Sequence, residues 1–425
     1  MKSQSNFLIL LLLFIIEVFA LSFGSKYLNN FVNPLILFFS SLGIGLLCLR
    51  QSFLVPSGIS QNGNIITKRI KYTGLIFFCA GVVVLGIIIK STIDKFPIDH
   101  RISDIIPTIQ KLVNRYLNGE FPYQTITDWG YNLYPTYLPF QWEQYILAEK
   151  INLDYRWFAF YGTVFCLIIY AMIILNRNQS ILKLSILFCL PFLTIILLNS
   201  VHPKIFGVTV EILIASYYLL LVMSVYSKNI FAISITLILC LLSRYFILLW
   251  LPLFLYIFYF TEGFRKILVI SVFCILGIIL FYALPFLWKD PSIFLMGLQY
   301  HSYAALGEWS GQAWQAPGAR PIALFQGIGF ASFFYEYVGG SVAERLRTLQ
   351  LIHFMLSCGA ILFLSTIYFF IKKQVHHRLF IIGSLKIFLV FFYNFIQIPY
   401  AYLFLVPVFV SFGLISCVAD ATQSK

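Results

Sequence analysis

The sequence has few charged residues. Asp, Glu, Lys and Arg make up 11% of its 425 residues, whereas a soluble domain contains about a quarter. This scarcity excludes a soluble enzyme or a soluble binding domain. The chain is instead 60% hydrophobic, and its repeated apolar runs of about 18 residues are typical of helices that cross a membrane.

The sequence also lacks the cysteine spacing of a metal or disulfide site. Its eight cysteines lie inside or at the edge of apolar runs, and no two are spaced as C-x-x-C. Buried thiols acting as small hydrophobic groups explain them better than a zinc site or a disulfide framework.

A concentrated basic patch is missing as well. The net charge of +13 is spread over short loops between apolar runs, so we expect no nucleic-acid partner.

Twelve apolar runs predict an all-α polytopic membrane protein, with about twelve transmembrane helices in one domain, residues 1–425. Lys2 precedes the first run and Glu17 interrupts it, with no small-residue cleavage site after it, so we expect a retained span rather than a signal peptide. The runs are residues 7–23, 34–50, 72–90, 157–175, 184–199, 205–226, 230–243, 246–260, 267–287, 351–371, 379–396 and 399–417.

The basic residues predict the orientation in the membrane. Twelve Lys and Arg residues lie in the loops on one side, against a single acid, Glu262. Because positively charged loops tend to stay in the cytoplasm, both termini are expected there. Two long loops, residues 91–156 and 288–350, are then expected outside. No internal repeat or low-complexity tract is visible.

The first long loop is the longest polar interval of the chain. Apolar residues recur at helical spacing from Ile105 to Leu117, which predicts an amphipathic helix on the outer membrane surface. Asp104 occupies its N-cap position, Pro107 falls in its first turn and Gly119 ends it. An aromatic tract and a second short helix, residues 141–150, follow. Tyr and Trp favour the boundary between membrane and water.

Two acids of this loop are candidate catalytic residues. Asp99 and Asp104 follow the third predicted span, and a carboxylate at the outer surface can serve as a general base. The alternative for Asp104 is a helix cap with no further role, and for Asp99 it is a solvated acid beside His100 and Arg101. A helix N-terminus stabilises a carboxylate, so we expect the pKa of Asp104 to be lowered.

The order of motifs in this loop resembles that of the GT-C glycosyltransferases, particularly their bacterial mannosyltransferase-like branch. These membrane enzymes use sugars linked to polyprenyl phosphate. Their pattern runs from an acid after an outward span, through an amphipathic helix, to a Gly-x-x-Pro-Tyr element and a Tyr-Pro-Pro-like turn. The matching segments here are Asp104, the predicted helix, Gly119-Glu120-Phe121-Pro122-Tyr123 and Tyr134-Pro135-Thr136-Tyr137-Leu138-Pro139.

The resemblance covers residues 90–160 strongly and the other spans loosely. One departure is that two spans precede the span leading into the loop, where the family has one. The resemblance implies that Asp104, or secondly Asp99, deprotonates or orients an acceptor hydroxyl. It also implies a polyprenyl-phosphate-linked sugar as donor, a glycan, lipid or protein as acceptor, and a site on the outer face of a bacterial inner membrane. No cofactor is certain. Asp99 and Asp104 could hold a divalent metal, but nothing requires one.

A leaving phosphate needs positive charge or hydrogen-bond donors around it. The candidates for the donor phosphate site are basic residues of the outer turns and loops: Arg244, His202, Lys204 and Arg320. For each of them a solvated or snorkelling charge is the alternative. The candidates for contact with the sugars or the lipid are Tyr123, Tyr137, Glu211 and Trp309.

Two ionisable residues fall inside predicted spans. Glu211 is expected about two turns inside the sixth span, where a charge indicates a function or, alternatively, an ion pair with Lys204. Lys386 lies near the middle of the eleventh span, where its long side chain can extend to the cytoplasm, so we expect its role to be structural.

Two other classes of protein stay open. An O-antigen polymerase or ligase type of enzyme relies more on outer Arg and His residues than on an early acid. Its large outer loop lies late in the chain, which fits residues 288–350. A secondary transporter or lipid flippase places polar groups near the middle of the membrane, where only Glu211 and Lys386 are conspicuous.

Overall fold

The fold is a bundle of α-helices. The computed structural model describes residues 2–54, 68–177, 180–311 and 318–421, and within them it contains no β-strand. The α-helices are α1 (Lys2–Tyr27), α2 (Val32–Leu54), α3 (Lys68–Lys95), α4 (Ile105–Leu117), α5 (Pro139–Trp142), α6 (Tyr145–Lys150), α7 (Tyr155–Leu175), α8 (Ile181–Val201), α9 (Lys204–Gly207), α10 (Glu211–Ser227), α11 (Ile230–Leu241), α12 (Leu251–Glu262), α13 (Phe264–Ile278), α14 (Ile293–Ser310), α15 (Ala331–Tyr337), α16 (Val342–Ile371), α17 (His377–Asn394) and α18 (Leu405–Ala421). Two 3-10 helices, Tyr245–Leu249 and Ala401–Phe404, precede α12 and α18, and a π-helix, Ile279–Leu287, continues α13.

Nine helices in the described part of the chain are long and apolar enough to cross a membrane. Three shorter apolar helices, α10, α11 and α12, coincide with the remaining predicted spans. The prediction of an all-α, multi-pass membrane protein is therefore confirmed. The number twelve stays a prediction, because these three helices have 17, 12 and 12 residues and a full crossing takes about 20.

The helices α10, α17 and α18 form the centre of the bundle. Every residue from Glu211 to Tyr226 is buried, and α18 and α7 pack against this helix. Helix α2 packs against both α1 and α17, and α3 packs against α8. Large apolar side chains such as Ile76, Phe165 and Leu193 are exposed on the outer helices, as expected for surfaces that face lipid.

Lys386 has a structural role, as expected, but its side chain does not extend to the cytoplasm. Its side chain is fully buried, and its Nζ lies 2.6 Å from Oε1 of Glu17 and donates to the carbonyl of Pro407 at 2.8 Å. Ser41 and Ser411 also donate to the Glu17 carboxylate, at 2.6 and 2.9 Å. The pair joins α1, α2, α17 and α18 inside the bundle, which the position of one lysine in an apolar run does not reveal.

The sixth predicted span is divided in two. Helix α9 ends at Gly207, and α10 begins at Glu211 after a short non-helical segment. Glu211 is therefore the first residue of a helix, and the expectation that it lies two turns inside a span is wrong. This break brings the Glu211 carboxylate to the end of the bundle instead of its middle.

Arg156 ties this break to its neighbours. Its Nη1 donates to the carbonyls of Phe96 at 2.5 Å and Gly207 at 2.9 Å, while Nη2 pairs with Asp154 at 2.6 Å. Asp154 also caps α7 by accepting a hydrogen bond from the Arg156 backbone N–H. These contacts join the end of α3, the start of α7 and the end of α9.

Candidate active site

A cavity of about 380 Å³ lies where the first long loop meets the helix ends. Its volume is within the range of about 300–1,000 Å³ that small-molecule sites occupy. It opens at the end of the bundle where α11 and α17 end and α10 begins, the side that the basic loops predict to be outside. We call it the Asp104 cavity. Its ionisable and aromatic lining includes Asp104, Tyr123, Tyr137, Glu211, Arg244, His301, Glu308, Tyr400 and Tyr402.

Asp104 occupies the predicted N-cap position of α4 but does not cap the helix with its side chain. Its backbone is already helical, with φ −85° and ψ −5°, whereas a capping residue is typically extended. The residue two positions into the helix after Ile105 is Pro107, which has no N–H to offer. The N–H of Ile105 instead donates weakly to the hydroxyl of Ser103, at 3.5 Å. The alternative that Asp104 serves only as a cap is therefore wrong, and its carboxylate is left to the cavity.

The pKa of Asp104 is raised, not lowered as predicted from its place at a helix N-terminus. Burial of the carboxyl group is the main cause, because it disfavours the charged form. The hydroxyl of Tyr131 donates to Oδ2 at 3.4 Å and opposes this effect in part. A carboxyl group with a raised pKa holds a proton more readily, so it is better suited to accept one from a hydroxyl.

A buried ion pair forms a second polar group in the cavity. Nη2 of Arg244 lies 2.5 Å from Oε1 of Glu211, and their side chains are 21% and 6% exposed. Oε2 of Glu211 and Nε of Arg244 have no hydrogen-bond partner among the described residues. Glu211 therefore pairs with Arg244 and not with Lys204, whose side chain is exposed. The unpartnered Arg244 Nε leaves a donor free beside the cavity.

Contacts between distant segments bring Asp104 and the ion pair to one cavity. The hydroxyl of Ser103 lies 3.5 Å from the carbonyl of Val208, just before α10. The backbone N–H of Phe140 donates to the carbonyl of Leu242 at 2.9 Å, which holds α5 against the end of α11. The start of α4 is thus adjacent to Glu211, and the aromatic part of the loop is adjacent to Arg244.

Helix α14 adds two ionisable residues that were not assigned a role from the sequence. His301 and Glu308 both line the cavity, and Glu308 is hydrogen-bonded to Tyr400. Desolvation and the charge of Arg244 lower the pKa of His301, which favours the neutral imidazole. The signal for them is their spacing, because Gly297, His301, Ala304 and Glu308 fall on one face of a helix.

The aromatic candidates of the first loop form one wall. Tyr123 is buried, and its hydroxyl donates to the carbonyl of Tyr137 at 2.9 Å and accepts from Nε1 of Trp142 at 3.1 Å. Burial raises the pKa of both tyrosines, so both stay neutral. Helix α14 also contributes apolar side chains to the lining, among them Ile293, Phe294 and Leu298.

Asp99 does not line the cavity. Its carboxylate pairs with the guanidinium of Arg101 at 2.5 Å, and the backbone N–H of Arg101 also donates to it at 2.9 Å. The hydrogen bond from the Arg101 side chain is the main cause that lowers the pKa of Asp99 to about 2. Asp99 and Asp104 thus do not share a site.

Within the described residues no group of three or more His, Cys, Asp and Glu is placed to hold a metal ion.

The other predicted phosphate ligands lie outside the cavity. Nε2 of His202 is 2.9 Å from the carbonyl of Ser22, and Arg320 pairs with Glu336 at 2.7 Å. Trp309 is fully buried and donates to the carbonyl of Gln397 at 2.8 Å, so it packs α14 instead of lining the cavity. Residues 312–317 of the second long loop lie outside the described residues. Of the four basic candidates, the cavity contains Arg244.

Comparison of the chain with protein-family models, with curated proteins and with solved structures finds no match in any of the three.

Proposed function

We propose that this protein is a membrane glycosyltransferase that moves a sugar from a polyprenyl-phosphate donor to an acceptor hydroxyl on the extracytoplasmic face of the membrane. The observation that carries the proposal is that a half-buried carboxylate, Asp104, and a half-buried guanidinium, Arg244, line one cavity. A transfer of this kind needs a base for the acceptor and a cation for the leaving phosphate.

Asp104 acts on the acceptor in this proposal. It takes the proton from the acceptor hydroxyl as the oxygen attacks the anomeric carbon. The new glycosidic C–O bond forms while the bond from the anomeric carbon to the phosphate oxygen breaks, and the electron pair leaves with the polyprenyl phosphate. The raised pKa of the carboxyl group supports this role, since a base works best when its pKa is near the working pH.

Arg244 binds the leaving phosphate. A guanidinium keeps its charge and can donate two parallel hydrogen bonds to phosphate oxygens. Its pairing with Glu211 through Nη2 holds the group in place and leaves Nε free to donate. Positive charge in a desolvated site stabilises the charge that develops on the phosphate. The apolar side chains of Phe294 and Leu298 in the cavity lining suit the first isoprene units of the donor.

A lipid-linked glycan polymerase or ligase is the second candidate. It is favoured by one observation, that His301 lies with Arg244 in the same cavity, because this class relies on outer Arg and His residues. The two candidates differ in their donors. Purified protein that uses a monosaccharide on polyprenyl monophosphate supports the first, whereas protein that uses only whole glycans on polyprenyl diphosphate supports the second.

Replacement of Asp104 tests the proposal. In membranes supplied with a radiolabelled sugar on polyprenyl phosphate, Asp104→Asn is expected to lower transfer about 100-fold or more, as for the loss of a general base. Asp94→Asn is the matched control, because Asp94 is exposed and pairs with Lys90 outside the cavity. Transfer by Asp104→Asn at the wild-type rate would contradict the proposed role of this carboxylate.

A further inference from the structure

The outward face of α4 forms a second concavity, an open groove of about 570 Å³. We call it the polar groove. Four carboxamide side chains line it, from Gln110, Asn114, Asn118 and Gln124. Each carboxamide offers two N–H donors and an acceptor oxygen, so the groove presents both kinds of hydrogen-bonding group side by side.

The cations of the polar groove are already engaged. The guanidinium of Arg115 donates to the carbonyls of Pro122, Gln124 and Thr125. The ammonium of Lys111 pairs with the carboxylate of Asp128 at 2.5 Å. Glu120 adds a negative charge to the lining, so the local charges balance. A phosphate, a nucleic acid or an acidic polymer would find no uncommitted cation there.

One aromatic ring completes the polar groove. Trp129 is half-buried, and its ring stacks on His100 with centroids 5.4 Å apart and planes 7° from parallel. The stack holds the indole in one orientation, so it offers a rigid apolar surface among the carboxamides. Such a surface suits the C–H face of a sugar ring, while carboxamides suit its hydroxyls, which are donors and acceptors at once.

We infer that the polar groove binds a neutral oligosaccharide, the chain whose terminal hydroxyl is glycosylated. This role as an acceptor site rests on the proposed function. The groove leads toward the Asp104 cavity, because the ring of Trp129 lies 6.1 Å from that of Tyr131 and the Tyr131 hydroxyl reaches Oδ2 of Asp104. An acceptor lying along α4 thereby extends toward the proposed base.

Direct binding to the full-length protein tests the inference without turnover. The protein in lipid nanodiscs is mixed with mannotetraose, maltotetraose or tetragalacturonic acid at millimolar concentration, and saturation transfer from protein to sugar is measured by NMR. Saturable binding of a neutral tetrasaccharide is expected. Trp129→Ala and the double variant Gln110→Ala with Asn114→Ala are expected to weaken it tenfold or more. Two matched controls, Trp288→Ala and Gln299→Ala, replace an exposed indole and an exposed carboxamide outside both cavities.

Three results would overturn the inference. The first is that the wild type shows no saturable binding of either neutral tetrasaccharide. The second is that the groove variants bind as tightly as the wild type while their melting temperature is unchanged. The third is that the acidic tetrasaccharide binds more tightly than the neutral ones. The proposed transfer reaction fails separately. If Asp104→Asn still binds the sugar but the wild type transfers none, the sugar-binding role of the polar groove is supported and the proposed transfer reaction is refuted. If transfer occurs and the groove variants keep the wild-type KM for the acceptor, the proposed transfer reaction is supported and the role of the polar groove as the acceptor site is refuted.

Discussion

At the scale of single residues, the proposed reaction depends on the protonation state of one carboxyl group. Asp104 is half-buried, and its only neighbouring hydrogen bond from a side chain in the described residues comes from Tyr131, at 3.4 Å. Burial raises the pKa of Asp104 and the hydroxyl lowers it. The working pH range of the protein should therefore depend on this contact.

Replacement of the Tyr131 hydroxyl is expected to move the pH dependence of the proposed transfer. In Tyr131→Phe the carboxylate form loses a stabilising donor, so the pKa of Asp104 rises further. A reaction that needs the carboxylate is lost as pH falls through this pKa, and the acidic limb of the kcat/KM profile therefore moves to higher pH. Tyr303→Phe is the control, because Tyr303 is exposed and lies outside the cavity lining. An acidic limb that stays in place, or moves to lower pH, would contradict the role of Tyr131.

At the scale of elements, the first turn of α4 leaves Asp104 available. Pro107 stands where a backbone N–H would donate the usual hydrogen bond to a capping carboxylate, and the proline has no N–H. The helix still forms because its apolar side chains, Ile106, Ile109 and Leu112 among them, are buried against the bundle. The sequence of this helix thus leaves the Asp104 side chain free of helix capping, so that the carboxylate can act in the cavity.

Pro107→Ala is expected to restore an N–H at this position and to draw the Asp104 carboxylate toward the helix. That bond favours the carboxylate form, so the pKa of Asp104 falls and the acidic limb of transfer moves to lower pH, opposite to the effect of Tyr131→Phe. The rate above the limb also falls, because the carboxylate is a weaker base. The same pH profile measures both effects, with Pro122→Ala, outside both cavity linings, as the control. A shift of the limb to higher pH would contradict this account.

At the scale of the whole molecule, one buried ion pair connects the two ends of the chain. Glu17 and Lys386 are 369 residues apart, and neither side chain is more than 1% exposed. Replacing a buried pair with apolar side chains is often tolerated, whereas removing one partner leaves an uncompensated charge and costs about 3–5 kcal/mol.

The contribution of this ion pair to stability can be measured from the melting temperature of the purified protein in detergent. Lys386→Met is expected to lower it strongly, in line with a loss of about 3–5 kcal/mol, because Glu17 is left buried without its cation. The double variant Glu17→Met with Lys386→Met should recover much of the loss. Lys373→Met, in an exposed position at the end of α16, is the control. A double variant less stable than Lys386→Met would show that the pair is not the cause.

The helical class of the fold and the position of α4 were predictable from the sequence, because both depend on local patterns of residues. Hydropathy predicted the helical membrane class, and helix periodicity with Gly119 predicted α4. Both depend on neighbours within a few turns. The break between α9 and α10 was missed because residues 208–210 are apolar apart from one threonine, and hydropathy records the environment of side chains but not the path of the backbone.

By itself the sequence determined the class of protein, the polar loop and the position of Asp104 at the start of α4, because apolar runs, helix stops and caps act locally. Only the tertiary structure decided that Glu211 pairs with Arg244, 33 residues away, and that His301 and Glu308 line the same cavity. It also decided that the Asp104 carboxylate is half-buried and does not cap its helix. These outcomes depend on which distant segments pack together, and packing sets both the partners and the desolvation of a charge.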